Sequence, residues 1–148
     1  MNILSPFQMR SSRIRKMTLT LGELMKDTKY STSFSFKCSS PRVEVIGNEF
    51  HGKIAFCVIA AIKNDESTLM NVSLDMEGHF VVVNDDAAQK AGIDINRFAE
   101  MVDMNGLVAL SQIVRATLLS VTAQSGIQPG LVMPMINIVE LKKQKRMR

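Results

Sequence analysis

The segment from Asn105 to Gly126, "NGLVALSQIVRATLLSVTAQSG", limits the possible folds more than any other part of the chain. Leu107, Leu110, Val114, Leu118 and Val121 recur at spacings of three and four, the pattern of one helix face. Ile113 and Leu119 widen that stripe, and Arg115 is the only charge. A helix of about twenty residues with such a surface cannot stand alone in water. It must bury more than one face, against a sheet and against a second subunit, so these five residues are expected at an oligomer interface. Gly126 is suited to end it in a left-handed conformation. Upstream, "DINRFAEMVDMN" offers Asp94 as an N-cap, followed by Ile95, Phe98, Met101 and Val102 at helical spacing.

The first half of the chain has a different period. Leu19 and Leu21 mark one extended block, and Tyr30, Phe34 and Phe36 a second, with a bulge expected between Gly22 and Lys26. "RVEVIGN" is a short extended segment. Gly52 to Val83 is the clearest hairpin: Ile54, Phe56, Val58, Ala60 and Ile62 share one face, and "KNDE" has the residue types of a turn. Four extended segments, then helices, then an apolar loop make an α+β fold. The expected architecture is a four-stranded antiparallel sheet with long C-terminal helices on one face.

The net charge of +4 over 148 residues is unevenly spread. "RSSRIRK" near the start and "KKQKRMR" at the end hold nine basic residues, leaving nine against fourteen acids between them. Regular alternation begins near Met17, which divides the chain into a flexible basic arm (1–16), one domain (17–141) and a basic tail (142–148). Basic ends can bind nucleic acid or anionic lipid, but solvated tails are the preferred reading. Cys38 and Cys57 are expected as free, buried thiols, which suits a reducing cytoplasm. No secretory signal or membrane span is expected.

Catalytic constellations are missing from the pattern. His51 and His79 with the two cysteines lack the close spacing of a zinc module, so no metal and no cofactor is expected. "SGIQPG" has neither the lysine nor the following helix of a phosphate loop. Asp85 and Asp86 are explained by turn chemistry, Ser111 and Ser120 by packing, and Arg115 by a structural ion pair. The expectation is a protein that is not an enzyme.

After the long helix comes "SGIQPGLVMPMINIVEL", apolar, with two prolines and two glycines. This piece, "PRVEVIGNE" and the hairpin "GKIAFCVIAAIKNDESTLMNVSLDMEGHFVV" occur in an order that resembles the SecB family of export chaperones, from about Leu19 to Leu141. Gly126, Pro129, Pro134 and Asn137 stand where that family's helix-connecting loop has its Gly, Pro, Pro and Asn. The resemblance implies a cytoplasmic, ATP-independent chaperone for protein export or antitoxin protection, assembled as a homotetrameric dimer of dimers. It implies that unfolded polypeptides bind between sheet and loop, at Val43, Val45, Ile54, Phe56, Leu131, Met133, Met135 and Ile138. The two prolines keep the loop extended, and flexible methionines adapt it to varied clients. The chain ends in "KKQKRMR", where the family has an acidic tail that docks on the export motor SecA, so SecA docking is not carried over. A structural or adaptor protein with one dedicated partner, or one binding nucleic acid through the basic ends, is the alternative.

Overall fold

A computed structural model describes residues 4–22, 29–64, 67–126 and 130–146. Five strands form one antiparallel sheet: β1 (Gln8–Leu21), β2 (Ser31–Cys38), β3 (Arg42–Ile46), β4 (Glu49–Lys63) and β5 (Thr68–Val83). The order is β1-β5-β4-β2, and β3 pairs with the half of β4 that β2 leaves free. The fold class is therefore α+β as expected, with one strand more. The two blocks expected on either side of a bulge are separate strands, β1 and β2, at opposite edges of the sheet, and the expected extended segment "RVEVI" turns through Gly47 (φ +60°) to pair directly with β4.

The basic segment Arg10–Lys16 is not an arm. It forms the first half of β1 and pairs with β5, with irregularities at Arg10 and Arg15. The arginines of this strand meet acidic partners: Arg10 meets Glu49, Arg13 meets its register partner Glu77, and Arg15 meets both Asp75 and Glu77. The uneven charge of the sequence is thus partly cancelled inside the sheet. Most of the expected bulge between Gly22 and Lys26, and part of the turn after Lys63, lie outside the described residues.

Even-numbered residues of β4 and β5 point to one face and meet the helices. Ile54, Phe56, Val58, Ala60, Met70, Val72, Leu74, Phe80 and Val82 are all buried there. Asp85 caps the short helix α1 (Asp86–Lys90) by accepting from the Ala88 N–H at 3.0 Å. Asp94 caps α2 (Ile95–Met101) through the Arg97 N–H at 2.7 Å. A π-helical segment, Val102–Gly106, then leads without a break into α3 (Leu107–Gln124). Ile95 to Gln124 is one helix, long and apolar enough to cross a membrane by length and composition. Its inner face instead covers the sheet, where Leu107, Leu110, Val114 and Leu118 lose all exposure. At Gly52 a Cβ would lie 2.7 Å from Val102 Cγ2, so a glycine lets the helix settle closely on β4. Gly126 ends α3 at φ +91°.

Candidate polypeptide-binding groove

Beyond α3 the chain doubles back along the helix. A Cβ on Gly130 would fall 2.7 Å from the Leu119 carbonyl oxygen, so the backbone here touches α3 itself. Thr122, fully buried, accepts from the Leu131 N–H at 2.7 Å while its own hydroxyl donates to the Leu118 carbonyl at 2.8 Å. Arg115 Nε donates to the Met133 carbonyl at 2.8 Å. The expected ion pair of Arg115 is therefore a hydrogen bond that fastens the loop. Asn137 accepts from the Glu140 N–H at 3.2 Å and opens α4 (Ile138–Arg146).

The loop is extended, and extended chain alternates its side chains. Leu131 and Met133 go inward to the core, while Val132, Pro134 and Met135 face solvent, Met135 at 73% exposure. α4 then packs against β2. Ile138 is buried and Leu141 half-buried on its inner side. Lys142 is buried too, its ammonium resting on Asp103 of the π-helical segment without a well-directed hydrogen bond. Lys142 and Lys143 hence belong to a helix rather than to a tail.

Between β2 and α4 lies a groove of about 410 Å³, lined by Phe34, Ser35, Phe36, Lys37, Cys38 and Leu141, with Gln144 at its edge. Phe34 and Phe36 are half-buried and stack, their ring centroids 6.1 Å apart and 3° from parallel. Phe36 in turn leans on Phe56, centroids 6.0 Å apart, which anchors the groove floor in the core. β2 pairs with β4 alone, so among the described residues its other backbone edge carries no strand. An apolar floor beside an unpaired strand edge accepts extended polypeptide in two ways: side chains bury on the floor, and backbone groups add to the edge.

The residues expected to contact a client divide sharply. Ile54, Phe56, Met133, Leu131 and Ile138 are core, Met133 at 2% exposure and Phe56 at none. This corrects the expectation that they form a binding surface: the helices cover them in the single chain. Val43 is half-buried against the core, and Val45 and Met135 are exposed. Of the loop-shaping residues, Gly126, Pro134 and Asn137 sit as described, while Pro129 lies outside the described residues. The interface expectation is corrected in the same way. Leu107, Leu110, Val114 and Leu118 face the sheet, Val121 is half-buried, and the apolar residues left free are Val108 and Leu119 on α3 and Ile14, Met17 and Leu21 on β1. The sequence reading missed Phe34, Phe36 and Leu141 as groove residues. The available signal was "STSFSFKC", where phenylalanines alternate with serines on a strand that has apolar residues on one side only.

The polar residues that sequence placed in separate strands behave differently. His51 and His79 meet, Nδ1 to Nε2 at 2.9 Å, on the sheet face away from the helices. Glu49 Oε1 lies 3.3 Å from His51 Nε2. Among the described residues no group of His, Cys, Asp and Glu is arranged to hold a metal ion. Cys38 and Cys57 are half-buried, on opposite faces of the sheet.

No protein-family model and no curated protein matches the sequence. Solved structures do. Over 88% of this chain and 90% of the other, the backbone superposes with a TM-score of 0.59 and 14% identity on the Mycobacterium tuberculosis SecB-like chaperone Rv1957, solved in complex with a ChAD peptide from the Rv1956 HigA1 antitoxin. The fold is SecB-like. A Streptococcus agalactiae protein of unknown function matches over 87% of this chain and 97% of its own, with a TM-score of 0.42 and 10% identity.

Proposed function

We propose that this protein is an ATP-independent holdase that binds unfolded polypeptide segments in the groove between β2 and α4. The observation that carries the reading is the stacked Phe34–Phe36 pair, half open to solvent beside an unpaired strand edge. A filled core would have hidden those rings. Each client side chain buried there contributes roughly 1.5–3 kcal/mol before ordering costs, so a few suffice to hold an unfolded segment. Met135 and Val132 on the loop are further exposed apolar side chains, and methionine adapts to varied side chains. The SecB-like neighbour is itself solved with an antitoxin peptide bound, which supports a client of the same kind: a segment that has not folded. On this reading the work is done in the cytoplasm and by an oligomer, a dimer of dimers. Its contacts use the free apolar residues of β1 and the outer side of α3 rather than the buried helix stripe.

The test is light scattering from an aggregating unfolded client, titrated with the protein without nucleotide. Suppression is expected near stoichiometric oligomer. Changing Phe34 to Ser together with Met135 to Asp should weaken suppression severalfold while circular dichroism and oligomer size stay unchanged. Met133 is unsuitable for this test, because a charge at that buried position would unfold the protein. Full suppression by the folded double variant excludes the groove. No suppression by the natural protein excludes the holdase.

A further inference from the structure

The sheet face away from the helices carries a second surface. Odd-numbered residues of β4 and β5 point there, and β1, β2 and β3 add their matching positions. On this face Glu49, Asp75 and Glu77 are each occupied by an arginine of β1. Arg42 and Lys53 are not matched. They sit directly opposite each other across the β3–β4 pair, and among the described residues neither has an acidic partner. Like charges facing each other across strands are unfavourable, and an isolated fold gains nothing from them. An anion between them would reverse the sign.

Arg42 and Lys53 line a depression of about 430 Å³ with Arg13, Glu44, His51 and Glu77. Its charged side chains are three basic and two acidic, and one of the acids, Glu77, is already paired with Arg13. His79, across from Lys53 on β5, is held below the ordinary imidazole value first by burial and then by the neighbouring His51, Lys53 and Arg10, with Glu77 opposing them. Along β4 the outer row continues from Lys53 through Ala55 and Cys57 to Ile59, which is 38% exposed. Lys37 stands opposite Cys57, exposed and without an acidic partner among the described residues. The row therefore reads as a cationic end, a shallow apolar strip and a further cation beside it. Strand residues at every second position are about 7 Å apart, the same repeat that an extended peptide shows on one side.

We infer that this outer sheet face docks an acidic peptide of a partner protein, laid along β4 with carboxylates toward Arg42, Lys53 and Lys37 and an apolar residue on Ile59. A nucleic acid fits the same charge less well. No Phe, Tyr or Trp of the five paired strands points to this face to stack a base. Arg42 and Lys53 lie outside the client groove, and Lys37 at the edge strand β2 is the one residue the two surfaces share.

The probe is a fluorescein-labelled peptide alternating glutamate with leucine and alanine, titrated into the full chain by fluorescence anisotropy at low and moderate salt. R42E/K53E is expected to weaken binding about tenfold or more, from two attractive contacts turned repulsive. R97E/K143E removes the same charge from the helix side and should change it less than about twofold. R42Q/K53Q weakens binding in the same direction and should leave the unfolding midpoint equal or higher, since it relieves the like-charge pair. Binding should survive M135D in the client groove. Absence of peptide binding, equal loss in R97E/K143E, or tighter binding of single-stranded DNA of the same length overturns the inference.

Discussion

Replacing Thr122 with Val isolates the hydrogen bond that fixes the helix-connecting loop to α3. The substitution keeps the β-branched shape and nearly the volume, so packing and helix propensity change little. Three contacts disappear, among them a longer one of 3.2 Å from the hydroxyl to the Leu119 carbonyl, which like that of Leu118 has its helix-ladder bond. The hydroxyl no longer donates to the Leu118 carbonyl, but that carbonyl keeps its bond within the helix ladder, so this loss is small. The third loss is different in kind. The Leu131 N–H now points at Thr122 Oγ1, 2.7 Å away and buried, and a valine methyl offers it no acceptor. An orphaned buried donor costs about 1–3 kcal/mol. At this chain length that lowers the thermal midpoint by roughly 2–4 °C per kcal/mol. Denaturant unfolding gives the global figure, and amide hydrogen exchange locates it. Exchange should quicken most at 131–138, because Arg115 holds Met133 by a single further bond. A loss below about 0.5 kcal/mol with unchanged exchange in the loop would show that the loop is held by its buried side chains alone, and would refute the reasoning.

Asp103→Ala should destabilise the protein more than Lys142→Met: the first leaves a buried ammonium without a counter-charge, the second lays an apolar chain along the same path. Denaturation curves of both variants check the order, and equal losses would mean that Lys142 reaches solvent once Asp103 is gone. Stability should also depend on pH through His79. Its folded value lies below the ordinary 6.5, chiefly from burial, so the unfolded chain takes up the proton first. The contribution of neutral His79 is thus fully present above that ordinary value and is lost as pH falls below it, levelling off beneath the depressed folded value. Thermal midpoints at pH 5 and pH 8 should show the drop, and His79→Asn should shrink it.

The long apolar helix, the hairpin and the two aspartate caps were legible because each depends on local pattern: period, turn residues and a short polar side chain before an apolar run. The two helical patterns that meet at Asn105 in sequence are one helix in the structure. Gly106 marks an end by residue type, yet a Cβ there would lie 3.0 Å from the Phe80 ring, so this glycine serves close packing inside a continuous helix. β1 was misread because a basic run without clear alternation resembles a solvated arm. Its acids are more than thirty residues away in sequence, and only the sheet register brings them opposite. Lys142 was misread for the same reason, its partner being a residue of the π-helical segment.

Periodicity identifies which residues are apolar but not which of two apolar faces meets the other half of the protein. Leu107, Leu110, Val114 and Leu118 were legible as a stripe, and the sheet, not a second subunit, takes that stripe. The same ambiguity governs the loop. "LVMPM" is apolar at every position, so sequence alone assigns all of it to client or all of it to core. The extended backbone divides it: Leu131 and Met133 secure the loop, and Val132 and Met135 stay free. A holdase needs that division, because an adhesive surface without an anchored side would collapse onto its own core, and an anchored loop without a free side would hold nothing. Thr122 and Arg115 fix the orientation by gripping the backbone at Leu131 and Met133, the two residues that turn inward. The exposure of Met135 is therefore a consequence of hydrogen bonds made four and two residues earlier in the chain.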